Sequence, residues 1–302
     1  MDYYLQQLVI GLSLGMVYAL VAIGFTLIFG VLNVVNFAHG EVYTIGAFAG
    51  LLLFVSFAPP LVVVVLVVLA VGALTGVGLE RLAFRPFRRF NDEATLKSRA
   101  MREATLMSSL ALSIITREGI ELVFGSQFQS LPLQHMLNSP IQIGPITIVN
   151  GDLIIFGTSF LMLTGLQFVL KKTSVGLSIR AVSNNALGAR YVGIDTDRTI
   201  AWTFAVGSGM GAVAGLLVGL YYGAIFPAMG FTPGIKAFVA MVMGGLSSIS
   251  GAVICALIIG VSEALSSIVV SSVWQDLVAY LFLIITLIFF PRGIFGGARE
   301  RV

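Results

Sequence analysis

Three long stretches of the chain carry no Asp, Glu, Lys or Arg: residues 3–40, 42–79 and 199–235. Each exceeds the roughly 20 residues that one α-helix needs to cross a bilayer core. Apolar runs predict spans near residues 8–30, 42–57, 61–79, 104–124, 152–170, 200–223, 251–270 and 277–290. A further apolar run, 236–245, is too short to cross alone and reads as a half-helix or broken helix. No set of ~10-residue alternating segments suggests an outer-membrane barrel. The fold expected is all-α: a polytopic inner-membrane bundle of about 8–9 transmembrane segments, some interrupted or re-entrant, forming one domain over 1–302. The first 57 residues hold either two spans or one span and a re-entrant piece.

One polar stretch, 171–198 (KKTSVGLSIRAVSNNALGARYVGIDTDR), stands between two apolar runs. Five of the 17 basic residues lie in it, and seven more lie between Arg81 and Arg102. Basic loops stay on the cytoplasmic side. The span count then puts the N-terminus outside and the C-terminus in the cytoplasm. Within 171–198 a short helix is expected, capped by Asn184 or Asn185 and ended by Gly193, with Ala186, Leu187, Ala189 and Val192 as its apolar stripe. It is either an amphipathic helix resting on lipid or a docking helix for a soluble partner. Residues 125–151 form an outer loop whose PIQIGPITIVNG reads as a hairpin with a Gly-Pro turn. On the fourth span, Arg117 and Glu121 are spaced to pair on one helix face.

Composition agrees: 58% of residues are hydrophobic and 10% charged, against about 25% charged in soluble domains. The net charge of +3 reflects loop topology and not a nucleic-acid face. One cysteine and two histidines offer neither an intrachain disulfide nor a structural zinc site. Asp2 stands where a signal peptide would be basic, so the first helix is expected to remain as its own insertion signal.

Candidate chemistry is sparse. Asn33, Asn36, His39, Gly40 and Glu41 fall between two apolar runs. They are either solvated loop residues or an interrupted helix lining a transport path, since unwound backbone survives at membrane depth only where protein or a wet path satisfies it. Gly244, Gly245 and Gly251 mark either a close-packed seam or a second interruption. Glu263 lies in an apolar run and is a candidate path residue. No P-loop, HExxH or GxSxG occurs, so no enzyme activity and no bound cofactor are expected of this chain.

Three stretches carry a resemblance: GMVYALVAIGFTLIFGVLNVVNFAHGEVYTIGAF (15–48), GLSIRAVSNNALGARYVGI (176–194) and MGGLSSISGAVICALIIGVSEAL (243–265). Together they resemble the permease subunits of branched-chain amino acid ABC importers, the LivH/LivM type, and within it the LivH branch. The resemblance implies a second, LivM-like permease subunit, two cytoplasmic ATPase subunits that bind the ATP and Mg, and an extracytoplasmic amino-acid-binding protein. It assigns Gly176, Arg180, Ala181, Asn184, Asn185, Ala189 and Gly193 to the ATPase-coupling segment. It also admits relatives that carry urea or short amides. The rival is a self-contained secondary transporter, for which Glu41 and Glu263 would be the ion-coupling carboxylates.

Overall fold

The computed structural model describes residues 2–88, 99–131, 139–143, 146–268 and 274–296. The chain opens with α1 (Asp2–Leu32), α2 (His39–Phe57) and α3 (Leu61–Leu79). One π-helical stretch, Glu80–Phe84, carries α3 on into a last helical turn, α4 (Arg85–Arg88). Next come α5 (Arg99–Phe124), strand β1 (Gln129–Ser130), and strands β2 (Pro140–Ile143) and β3 (Ile146–Val149). α6 (Asn150–Lys172) leads to two short helices, α7 (Ser174–Asn184) and α8 (Ala186–Tyr191). α9 (Thr196–Tyr222), strand β4 (Ala224–Ile225), α10 (Phe231–Gly244), α11 (Ile249–Ser266) and α12 (Gln275–Phe289) complete the order.

Among the described residues six helices are long and apolar enough to cross a membrane: α1, α2, α3 with its extension, α6, α9 and α11. α10 and α12 are apolar but shorter. α5 fills the place of the fourth expected span, with Arg117, Glu118 and Glu121 near its far end. This is a multi-pass helical membrane protein.

α9 is the axis of the bundle, with Phe204, Ala212, Val213, Ala214 and Leu216 fully buried. α1, α2 and α3 pack around it. Glycine makes the approach possible. A Cβ on Gly215 would lie 1.9 Å from the Tyr43 carbonyl oxygen, and one on Gly46 would lie 2.0 Å from that of Ala212. The backbones of α2 and α9 therefore touch along this seam. α1 meets α11 the same way, where a Cβ on Gly260 would lie 2.4 Å from the Gly15 nitrogen. Small residues at such crossings let apolar helices gain contact without a hydrophobic force between them. α3 and α6 instead turn large apolar side chains outward, among them Val62, Leu74, Leu161 and Phe168. Those surfaces suit lipid or another membrane subunit.

The bundle has two unlike ends. One carries α4, α7 and α8 with Lys171, Lys172, Arg180 and Arg190, and is called the basic end below. The other carries the strands. β2 and β3 form the expected antiparallel hairpin, with Ile143 opposite Ile146. The Gly-Pro turn and 132–138 of the expected outer loop lie outside the described residues. β1 pairs with β4, joining that loop to the far end of α9. One expectation on α5 fails: Arg117 pairs with its neighbour Glu118 at 3.3 Å.

Candidate functional site

α1 stops at Leu32, and Asn33 turns the chain with φ +53°. Residues 33–38 are not helical, and α2 begins at His39. The Ala38 N–H donates to Asn36 Oδ1 at 3.1 Å, and the Phe37 N–H to Ser109 Oγ on α5 at 3.4 Å. His39 sits edge-on to Phe25, ring centroids 4.7 Å apart, and packs against Gly24 and Gly211. Gly211 is fifteen residues past Thr196, so His39 lies ~22 Å along α9 from the basic end at 1.5 Å per residue. That is mid-bundle. Asn36, His39 and Glu41 are buried, at 1%, 0% and 6% exposure. The stretch is a non-helical link buried inside the bundle, so Asn36, His39 and Glu41 are not solvated loop residues; it joins two helices of opposite direction, since α2 climbs from Gly211 toward Gly219 of α9 while α1 descends to the basic end. Only Asn33 remains at the basic end, exposed.

A second helix starts against the first. Gly40 meets the Gly230 carbonyl, where a Cβ would have 3.0 Å, and the Gly230 N–H donates to Thr44 Oγ1 at 3.1 Å. α10 begins at the next residue. Two helix N-termini thus converge inside the bundle, each a source of partial positive charge. Around them several polar atoms are unsatisfied. Glu41 Oε1 accepts from Ser113 at 3.1 Å, but Oε2 has no partner among the described residues. Nor has Asn36 Nδ2. One His39 nitrogen reaches toward the Val21 carbonyl, yet among the described residues neither forms a well-made hydrogen bond. Unmet buried polar groups cost about 1–3 kcal/mol each and call for a reason beyond packing.

Gly244, Gly245 and Gly251 are not part of this break. α10 is 14 residues long, so they lie ~20 Å from Gly230, back toward the basic end. Gly245 has φ +100°, Ser248 caps α11 by accepting from the Gly251 N–H at 3.2 Å, and a Cβ on Gly251 would lie 2.2 Å from the Gly244 carbonyl oxygen. The three make a tight helix–helix reversal.

Glu263 lies elsewhere again, and it is paired. Its carboxylate accepts from Lys236 Nζ and, at 3.0 Å, from the Tyr18 hydroxyl. Lys236 also reaches Asp276 Oδ1 at 2.7 Å. Lys236 and Glu263 side chains are 5% and 8% exposed. The cluster ties α10, α11, α12 and α1 together. Glu263 is therefore no free ion-coupling carboxylate. Sequence reasoning passed over Lys236, although a lone lysine in an apolar run should prompt a search for its partner.

At the basic end the expected single helix is two. Thr173 caps α7, its hydroxyl accepting from the Gly176 N–H at 3.2 Å. Asn185 caps α8, Oδ1 accepting from the Gly188 N–H at 2.9 Å, and Gly193 leaves the helix at φ +86°. Gly176 presses on the end of α6, 2.4 Å from the Leu170 carbonyl oxygen to a built Cβ. The Ser183 hydroxyl donates to the Gly30 carbonyl at 2.7 Å and fastens α7 to α1. The buried stripe is Ile179, Val182 and Ala189, with Ala181 half-buried. Of the expected stripe only Ala189 is buried: Leu187 is half-buried, Ala186 is exposed at the start of α8, and Val192 is 76% exposed because the chain has already turned at the end of α8. Arg180, Asn184 and Asn185 face outward with Leu177 and Tyr191. Asn184, Asn185 and Tyr191 border a cavity of about 800 Å³ that is lined also by Asn33, Phe84, Arg88 and Asp197.

Comparison with known proteins places this architecture. The family model described as "Branched-chain amino acid transport system / permease component" matches residues 7–287. The chain is 36% identical to the high-affinity branched-chain amino acid transport system permease protein LivH of Escherichia coli (strain K12), over 97% of this chain and 96% of that protein. It is 35% identical to BraD of Pseudomonas aeruginosa over the same shares, and 30% identical to a probable LivH of Methanocaldococcus jannaschii over 92% and 88%. No solved structure matches. A family match across nearly the whole length, on a multi-pass helical bundle, makes the chain a member of the branched-chain amino acid transport system permease family.

Proposed function

We propose that this chain is one of two permease subunits of an ATP-driven importer for leucine, isoleucine and valine. Its basic end faces the cytoplasm, its strands face outward, and an extracytoplasmic binding protein delivers the amino acid to the strand end. The partners are a second, LivM-like permease subunit and two ATPase subunits, which bring the ATP and Mg. The substrate reading is supported by near full-length similarity to LivH and BraD. The cytoplasmic placement is supported by the basic residues gathered at one end.

One observation carries the coupling claim. Leu177, Tyr191 and Val192 are 60%, 89% and 76% exposed on α7, α8 and the turn after it, and Arg180, one turn from Leu177 on α7, is exposed too. Large exposed apolar side chains and a cation on one water-facing element suit a protein groove better than solvent. The ATPases take this element, and its ties to α1 and α6 pass their closure to the bundle. The break at Asn36–Glu41, with the start of α10 against it, is the gate of the path. Its few unmet hydrogen-bonding groups in apolar walls suit a zwitterion with a branched apolar side chain. The test compares wild type with Arg180→Glu for co-purification of an ATPase and for ATP-dependent leucine uptake. The variant should insert normally and lose both. Full uptake by the variant would overturn the docking claim.

A further inference from the structure

α5 carries charge on its outer surface at a depth where lipid cannot cover it. Two contacts set its height. Ser113 donates to Glu41 near the start of α2, and Phe124 lies on Phe48 further up α2, ring centroids 4.6 Å apart. α5 therefore climbs beside α2, and Glu118, about midway between those contacts, stands near the height of Thr44. Gly46 and Gly72 both press on Ala212, which sets α2 against α3. The height of Glu118 then falls inside the charge-free run Leu61–Leu79 of α3, about 10 Å from its nearer end. The Glu118 side chain is nonetheless 54% exposed. Among the described residues its one ion pair is with Arg117, at 3.3 Å and itself 39% exposed. Ile114, Ile115 and Leu122, all within one turn of Glu118, are exposed as well. A carboxylate so deep lies beyond the reach of the headgroups and has to meet protein or water. Large apolar neighbours on the same face suit protein. Arg117 stands against two carboxylates, Glu118 and the half-buried Glu121, so this turn has one negative charge in excess. Whatever covers it has to bring a cation.

We propose that this face of α5 is where the second permease subunit packs, and that the subunit sets a Lys or Arg of one of its membrane helices against Glu118. The proposal rests on the two-permease reading above. Ile114, Ile115 and Leu122 supply the apolar contact that keeps water and lipid from the ion pair. The pair in turn fixes the register of the two subunits, because any other height leaves both charges unmet in hydrocarbon. Charge also chooses the occupant. A second copy of this chain, related by a two-fold axis, would bring the same negative excess to the contact, whereas a different subunit can bring the missing cation. Arg117 lies one turn from Ser113, which holds Glu41, so the contact sits beside the mid-bundle link and ties it to the second subunit.

The test uses the complete importer in its own membrane. A photoactivated benzophenone side chain replaces Ile115 or, separately, the exposed Leu74 on α3. Position 115 should give an adduct with the second permease subunit, mapping to a membrane helix with a Lys or Arg within one turn of the cross-link. Position 74 should give none. Glu118→Lys should lower the second subunit recovered with this chain at least ten-fold, and Glu118→Gln several-fold. The benzophenone variants keep every charge, so they decide the matter even if Glu118→Lys folds badly. The proposal is overturned if position 115 gives an adduct only with lipid, with a second copy of this chain, or with no protein. It is overturned too if positions 115 and 74 cross-link to the second subunit alike, if the cross-linked helix has no nearby cation, or if Glu118→Lys recovers the second subunit as wild type does. Recovery with the unaltered chain separates this from the two-permease reading. If the second subunit is recovered but position 115 does not reach it, that reading stands and the α5 surface fails. If no second subunit is recovered, the two-permease reading fails as well.

Discussion

Lys236 is the residue whose removal should reveal most about how the bundle is held. It is paired with Glu263, and both side chains are under a tenth exposed. Breaking one partner of a buried pair costs ~3–5 kcal/mol, because a charge is left without compensation in a low-dielectric site. Lys236→Met keeps the length of the side chain and removes the charge. The Tyr18 hydroxyl still donates to Glu263, and Asp276, half-exposed, can hydrate. The loss should therefore sit at the low end, ~3 kcal/mol. Glu263→Gln should cost less, about 1–2 kcal/mol, since Asp276 still neutralises Lys236. The double variant leaves no buried charge and should recover ~2 kcal/mol over Lys236→Met alone, roughly thirty-fold in the unfolding equilibrium. The assay is reversible unfolding in mixed micelles, followed by tryptophan fluorescence, with uptake measured on each variant. A structural cluster predicts that the double variant regains transport with stability. A Lys236→Met loss below about 1 kcal/mol, or a double variant as unstable as the summed singles, would refute the reasoning.

Gly46→Val places its Cβ against the Ala212 backbone, which cannot swing away, so the α2–α9 seam must open. The expected loss is at least the ~1–3 kcal/mol of overpacking, read as lower yield and lower Tm; an unchanged Tm would deny the close crossing. Asn185→Ala removes the cap of α8 and should cost ~1 kcal/mol of local stability, seen as faster hydrogen exchange over residues 186–192 with the transmembrane helices unaffected. His39→Ala opens space beside Gly24 and Gly211 at mid-bundle. It should change uptake more than thermal stability, because His39 gives up no well-made side-chain hydrogen bond. A large Tm drop with normal uptake would make it a packing residue.

Much of this protein is legible one segment at a time. Charge-free runs of helix length decide that the chain crosses a membrane, since the bilayer tolerates neither open backbone nor charge. Local chemistry likewise announces the β2–β3 hairpin through its alternation and Gly-Pro turn, and the start of α8 through Asn185, whose side chain needs a donor only three residues away. The family resemblance in three separated motifs is also a property of the sequence, and the match over residues 7–287 agrees with it. Other features depend on residues far apart in the chain. Asn36, His39 and Glu41 read equally as a wet loop or a buried break until α9, some 170 residues later, supplies Gly207 and Gly211 at their depth. Glu263 reads as a free carboxylate until α10 brings Lys236 beside it across 27 residues. Val192 fits an apolar stripe by period, yet it faces solvent because α8 ends one residue before it. Hydropathy and caps act within a turn or two of helix and so are written locally. Depth, pairing and facing are set by which helices touch, and here that follows from glycine seams whose two halves lie on different helices.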